Sequence, residues 1–96
     1  MKIVVSSRGM GKTTLCILES AASGAHIVCA NHAEAYRIAE QAKEMGKEIP
    51  FPLTYDEFIR GEYSGKGVRG LLIDNADRLL QYMAKVPIQT VILGTD

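Results

Sequence analysis

The sequence has little cysteine and no excess of charge of either sign. Two cysteines in 96 residues are too few for a disulfide framework. Cys16 and Cys29 both lie in apolar stretches, which predicts buried, reduced thiols. Eleven Lys and Arg residues balance eleven Asp and Glu residues, so the chain lacks the positive excess of a general nucleic-acid binder. Any contact with DNA or RNA would be local or shared with a partner.

Long apolar runs are also absent. No stretch approaches the ~18–20 apolar residues of a membrane span. The apolar start at residues 3–5 is too short for a signal peptide. We therefore expect a cytoplasmic protein without membrane contact, in a cell or in the host of an element that replicates inside one. The length predicts a single domain over residues 1–96.

Short β-branched apolar runs alternate with segments of helical periodicity. The predicted strands are residues 3–5, 26–30, 68–73 and 88–93. The predicted helices are residues 13–23, 31–45, 55–60 and 77–85. Because the strands lack polar alternation, they are typical of a parallel sheet with helices on both faces. The predicted fold class is α/β, a three-layer sandwich with a mainly parallel four-stranded sheet.

Local signals support several of these boundaries. Gly24 is placed as a helix C-cap, and Asn31 with Glu34 has the spacing of a capping box. Thr54 and Glu57 repeat that spacing before the short third helix. Prolines at 50 and 52 exclude a helix there and argue against a central strand.

Residues 6–13, SSRGMGKT, lie between the first predicted strand and the first predicted helix. They match the Walker A pattern G-x-x-x-x-G-K-[ST], except that Ser6 replaces the first glycine. In such a loop, backbone N–H groups bind phosphate oxygens, while glycines allow close approach. Lys12 would contact the β- and γ-phosphates, and the Thr13 hydroxyl would ligate Mg²⁺. The predicted nucleotide-binding residues are Ser7, Arg8, Gly9, Met10, Gly11, Lys12, Thr13 and Thr14. A solvated Arg8 is the alternative for that residue.

Residues 70–77, GLLIDNAD, form an apolar strand that ends in an acid. This is the form of a Walker B motif, in which the terminal Asp reaches the Mg²⁺ shell. Asp74 is therefore the predicted metal residue together with Thr13. The alternative, an Asp that only caps the next helix, fits Asp77 better than Asp74.

Together the two motifs resemble the additional-strand class of P-loop NTPases, which includes RecA-like motors, helicases and the ATPase domains of viral DNA-packaging terminases. The resemblance implies ATP and Mg²⁺ as cofactors. In that class a Glu that polarises the attacking water usually follows the Walker B Asp, whereas this chain has Asn75. An amide can orient a water but cannot accept its proton. Thr95 stands where the class keeps its γ-phosphate sensor, with a frayed terminal residue as the alternative. The catalytic candidates are thus Lys12, Asn75 and Thr95.

The resemblance further implies a sheet order of first–fourth–third–second strand, with the strand before the Walker A loop at an exposed edge. Such an edge favours a homo-oligomer or a protein partner that docks on it. Residues 30–32 occupy the place of the helicase motif that touches a nucleic-acid backbone. The chain looks like a minimal core of the kind expected in a phage or mobile element.

The remaining aromatic and arginine residues have ordinary structural interpretations. The aromatic residues predicted to pack in or at the core are Tyr36, Tyr55, Phe58, Tyr63 and Tyr82. The arginines predicted to be solvated are Arg37, Arg60, Arg69 and Arg78. The alternatives are adenine stacking for an aromatic ring and an arginine finger supplied in trans for one arginine.

Three functions are compatible with these motifs. The first is an ATPase, slow alone and stimulated by oligomerisation, DNA or a partner in replication or packaging. The second is a non-hydrolysing, nucleotide-dependent adaptor or inhibitor that binds a partner protein. The third, a small-molecule kinase, lacks an Arg-rich lid and a recognisable acceptor-binding segment.

Overall fold

The computed structural model describes residues 11–63, 65, 67–92 and 94. Within them, four helices and three strands alternate along the chain. The helices are α1 (Lys12–Ser23), α2 (His32–Glu44), α3 (Tyr55–Ile59) and α4 (Ala76–Met83). The strands are β1 (His26–Cys29), β2 (Leu53–Thr54) and β3 (Leu71–Ile73). The alternation gives an α/β domain, as the sequence predicts.

The three strands form one parallel sheet in the order β2-β1-β3. Val28 of β1 pairs with Leu53 on one side and with Ile73 on the other. Because all three strands are parallel, their carboxyl ends lie along one edge of the sheet. The predicted neighbourhood of the strands at 26–30 and 68–73 is confirmed by the β1–β3 pairing. The predicted edge position of the strand at 26–30 is wrong, because β2 pairs with the other side of β1.

Helices cover both faces of this sheet. Alternate residues of β1 belong to two separate core clusters, since successive strand side chains point to opposite faces. The first cluster joins β1 to α1 and α2 through Ile17, Ile27, Cys29, Ala35, Ile38 and Ala42. The second joins β1 to β2, α3 and α4 through Val28, Leu53, Tyr55 and Leu79. The sheet is thus the middle layer of the domain.

The predicted helix boundaries hold to within a few residues. Gly24 ends α1 in the left-handed conformation, at φ 80°, which favours glycine. The Asn31 side chain caps α2 by accepting a hydrogen bond from the Glu34 N–H. Thr54 and Glu57 form the complete capping box of α3. Asp77 does not cap α4, because it lies in the first turn after an N-cap at Asn75.

The predicted strand at residues 88–93 is not formed over 88–92, the part of it that the structure describes. There the Gln81 side chain holds the backbone instead. Its amide donates to the Val86 carbonyl at 3.1 Å and accepts from the Ile88 N–H at 2.8 Å. These bonds tie the segment to the end of α4 and not to the sheet. The predicted strand at 3–5 lies outside the described residues.

The third strand of the sheet, β2, is one that the sequence did not predict. It follows directly after the prolines at 50 and 52 and contains only two residues. Proline has no backbone N–H and cannot donate a hydrogen bond to a neighbouring strand. It is therefore tolerated at a sheet edge, where one side of the strand has no neighbour. The edge position of β2 agrees with that rule.

Candidate functional site

The first turn of α1 has the features of an anion-binding helix end. Gly11, the N-cap, adopts the left-handed conformation at φ 72° and provides no side-chain cap. The first turn contains Lys12, Thr13 and Thr14 and no acidic residue. Each of the other three described helices has an acid in its first turn. The N–H groups of a helix end, the positive end of the helix dipole and a lysine therefore coincide here.

A hydrogen bond joins this helix end to the carboxyl end of β3. The Lys12 Nζ donates to the Asn75 Oδ1 at 2.7 Å, across a separation of 63 residues in the sequence. Both side chains are half-buried. The two motifs that the sequence singled out thus meet in space, and we call this contact the Lys12–Asn75 joint.

Asp74 lies beside the joint and is buried, with 9% of its surface exposed. Its charge also acts on α1. The pKa of the Cys16 thiol rises to about 11, mainly because of burial and next because of the Asp74 carboxylate. Cys16 is one turn beyond Lys12 on α1, so Asp74 lies close to the start of that helix. Burial likewise raises the pKa of Cys29 to about 11. Both cysteines are free thiols, as predicted, but only Cys29 is buried, whereas Cys16 is half-buried.

Asn75 has an unusual backbone. Among the described residues it is the one non-glycine residue with positive φ, at φ 59° and ψ 58°. Asn tolerates this left-handed conformation better than most residues do. Its side chain makes no cap on α4 and bonds Lys12 instead. The backbone at residue 75 therefore directs the amide towards the start of α1.

Gln41 belongs to the candidate site although it lies in neither sequence motif. Its Nε2 donates to the Thr14 Oγ1 at 3.1 Å, linking α2 to the first turn of α1. With its oxygen already engaged as an acceptor, the Thr14 hydroxyl keeps its own hydrogen available for another acceptor. A signal was present, since Gln41 is a polar residue within the apolar stripe that includes Ile38 and Met45.

The residues present suit Mg²⁺ better than a softer metal. Thr13 and Asp74 offer a hydroxyl and a carboxylate oxygen, the ligand type that Mg²⁺ prefers. Each is the chain neighbour of one partner of the joint. In the described part of the chain, no three His, Cys, Asp or Glu side chains form a metal cluster. Mg²⁺ sites commonly use one or two protein ligands together with substrate phosphates.

A second feature lies farther along the same sheet edge. A groove of about 590 Å³ opens where β1 and β2 end and where α4 passes them. Its lining residues are Ala30, Asn31, His32, Thr54, Tyr55, Asp56, Arg60, Arg78, Gln81 and Tyr82. It includes residues 30–32, for which the sequence resemblance implies a contact with a nucleic-acid backbone. We call it the α4 groove.

Part of the predicted site lies outside the described residues, namely Ser7, Arg8, Gly9, Met10 and Thr95. The residues of the predicted site that the structure brings together are Lys12, Thr13, Thr14, Asp74 and Asn75.

Comparison with models of protein families, with curated proteins and with solved structures finds no match for this chain. None of the helices in the described ranges is long and apolar enough to cross a membrane.

Proposed function

We propose that this protein binds ATP, or another nucleoside triphosphate, with Mg²⁺ at the Lys12–Asn75 joint. The observation that carries the proposal is the 2.7 Å bond between Lys12 and Asn75, which unites two motifs 63 residues apart. A fold of the P-loop NTPase type is part of this proposal. The buried Asp74 carboxylate and the acid-free first turn of α1 support it further.

Each residue has a role that follows from its chemistry. Lys12 exchanges its bond to Asn75 for the phosphates, where its ammonium stabilises negative charge. The amides of the first turn of α1 bind phosphate oxygens. Thr13 and Asp74 would hold Mg²⁺, which supplies charge neutralisation at the phosphates. Gln41 positions the Thr14 hydroxyl, which would donate its hydrogen to a phosphate oxygen.

We propose weak hydrolysis that a partner stimulates, in replication or packaging of nucleic acid for a phage or mobile element. Asn75 is next to the metal residue but cannot accept a proton, so the attacking water lacks a base there. A homo-oligomer or a docking protein at a sheet edge would supply the missing groups. The alternative is a non-hydrolysing adaptor that binds a partner when nucleotide is bound. The left-handed backbone of Asn75 favours this alternative, because it disfavours the usual Glu.

A thermal melt with and without Mg·ATP tests nucleotide binding. At a ligand concentration of about 100 Kd the wild-type chain should gain roughly 2.7 kcal/mol of stability. Lys12→Ala should lose most of this gain, because the phosphates lose their cation. Without nucleotide, Lys12→Ala should cost about 1 kcal/mol, since Lys12 is half-buried and bonded to Asn75.

Lys43→Ala is the matched control, because Lys43 is an exposed lysine in the last turn of α2. It should keep the full gain with Mg·ATP. A wild-type melt that does not respond to Mg·ATP contradicts the proposal, as does an equal response in Lys12→Ala.

A further inference from the structure

The α4 groove has the size and place of a ligand site that is separate from the Lys12–Asn75 joint. Its volume of about 590 Å³ falls in the range typical of small-molecule pockets. It lies at the carboxyl ends of parallel strands, where α/β proteins generally bind ligands. Lys12 and Asn75 are not among its lining residues.

One wall of the groove is an aromatic ring already fixed in position. The Tyr82 hydroxyl donates a hydrogen bond to the Asp56 carboxylate, and the Tyr82 ring packs against Tyr55 with centroids 5.5 Å apart. Tyr82 is nevertheless 51% exposed. Stacking a planar ligand on this ring would cost little side-chain conformational entropy, because contacts with Asp56 and Tyr55 already position the ring.

Arg78 is the cation of the groove that is available to a ligand. Arg60 is paired with Glu62 at 2.7 Å, and the Asp56 carboxylate accepts from Tyr82. Among the described residues, no carboxylate forms an ion pair with Arg78. Burial raises the pKa of the Tyr55 phenol, and the positive charge of Arg78 partly offsets this rise. A guanidinium binds phosphate oxygens through two parallel hydrogen bonds.

Arg78 and Tyr82 can act on one small molecule. They are four residues apart on α4, so they are neighbours on its surface, at about 5–6 Å between Cβ atoms. We propose that the α4 groove binds a small phosphorylated compound with a planar ring, of the class of nucleoside monophosphates. Arg78 receives the phosphate and Tyr82 receives the ring.

The charges favour a small ligand over a nucleic-acid strand. The chain has a formal net charge of zero, and the groove has one unpaired arginine among its described residues. A strand needs a positively charged track that follows its backbone over several nucleotides. A monophosphate needs only one cation and one stacking surface, which the groove provides.

Calorimetric titration of the full 96-residue chain with AMP and UMP tests this site. Both should bind saturably to the wild type, and this binding should persist in Lys12→Ala. Arg78→Gln should weaken binding by at least about tenfold, because a charged hydrogen-bond pair is lost. Arg37→Gln is the matched control, since Arg37 is an exposed arginine on α2 that pairs with Glu34. It should leave binding unchanged.

Tyr82→Leu provides a second, independent variant. It should weaken AMP and UMP but not inorganic phosphate, because it removes only the stacking surface. Equal effects on phosphate and on AMP would contradict the assignment of the ring to Tyr82. Thermal melts of both variants verify folding, and both substitutions are at exposed positions.

Three results would overturn the proposal. The first is the absence of saturable binding of either monophosphate. The second is monophosphate binding that Lys12→Ala abolishes and Arg78→Gln spares, which would put the ligand at the joint. The third is Arg78-dependent binding of a deoxythymidine oligonucleotide without binding of monophosphates. A loss of Mg·ATP binding alone would contradict the proposed function and leave the groove assignment intact.

Discussion

Asn75 combines a left-handed backbone with a side-chain oxygen that bonds Lys12. The two features depend on each other, because the backbone conformation sets the direction of the amide. A Glu at the same φ would carry the steric cost that L-residues meet in this region, roughly 1–2 kcal/mol. The left-handed backbone at residue 75 therefore favours Asn over Glu for a conformational reason.

Substitutions at residue 75 should separate the stability effect of the left-handed backbone from that of the side-chain hydrogen bond to Lys12. Asn75→Ala and Asn75→Gly both lose the bond to Lys12, but only glycine adopts positive φ without strain. Asn75→Ala should therefore be less stable than Asn75→Gly by about 1 kcal/mol. Urea denaturation of the two variants measures the difference. Equal stabilities would mean that residue 75 is not left-handed in solution.

At this scale the sequence predicted residue types better than it predicted contacts. The Walker-like spacing singled out Lys12, Thr13 and Asp74 because phosphate and Mg²⁺ chemistry needs those groups. The polar Gln41 within the apolar stripe of α2 marks that residue, but not its bond to Thr14, because the contact depends on how α2 packs against α1. Tyr82, interpreted from the sequence as a packing residue, is half exposed because α4 presents it to the groove.

Among the elements, α2 illustrates what local signals can predict. Its start at Asn31 and its buried stripe of Ala35, Ile38 and Ala42 both follow from spacing alone. Short strands are harder, because a strand is stabilised by neighbours that are distant in the sequence. The two residues of β2 have too little pattern to be recognised, and residues 88–92 have the pattern without sheet pairing.

The cap of α2 gives a test at the scale of the element. Asn31→Ala should lower the stability of the domain by about 1 kcal/mol, because the Glu34 N–H loses its acceptor. Asn31→Asp should be close to neutral, since the carboxylate accepts the same bond and interacts favourably with the helix dipole. Thermal denaturation of the wild type and of the two variants measures these differences in stability. A stable Asn31→Ala variant would contradict the role of this cap.

In the whole molecule, two distinct features lie at the carboxyl ends of the parallel strands. The Lys12–Asn75 joint lies at the end of β3, and the α4 groove lies at the ends of β1 and β2. Helix α4 contributes to both features, because its N-cap Asn75 belongs to the joint and Arg78 lines the groove. The Asn75 carbonyl accepts a hydrogen bond from the Arg78 N–H at 2.9 Å. The parallel sheet and its alternation with helices were predictable from the pattern of apolar runs. The groove was not, because its walls come from three separate segments of the chain.

The isolated chain should hydrolyse ATP very slowly, at less than about 0.01 s⁻¹, as P-loop enzymes do when transition-state charges are incomplete. Phosphate release at rising protein concentration, with and without DNA, measures this rate. Asn75→Asp is the informative variant, because Asp tolerates the left-handed backbone and supplies a carboxylate. It should raise the rate of a weakened ATPase and leave an adaptor at background. Rapid turnover by dilute wild-type protein would contradict the role given to Asn75.

The most direct test of the Lys12–Asn75 joint is the NMR signal of the Asn75 side-chain amide during a titration with Mg·ATP. Binding at the joint requires Lys12 to leave the Asn75 oxygen, so this signal should shift saturably, together with the backbone amides of Thr13 and Thr14. The backbone amide of Lys43, in the last turn of α2 and outside the α4 groove, serves as the internal reference and should not move. If Mg·ATP leaves the Asn75 amide unchanged, or shifts only residues of the α4 groove, the nucleotide does not bind where we propose.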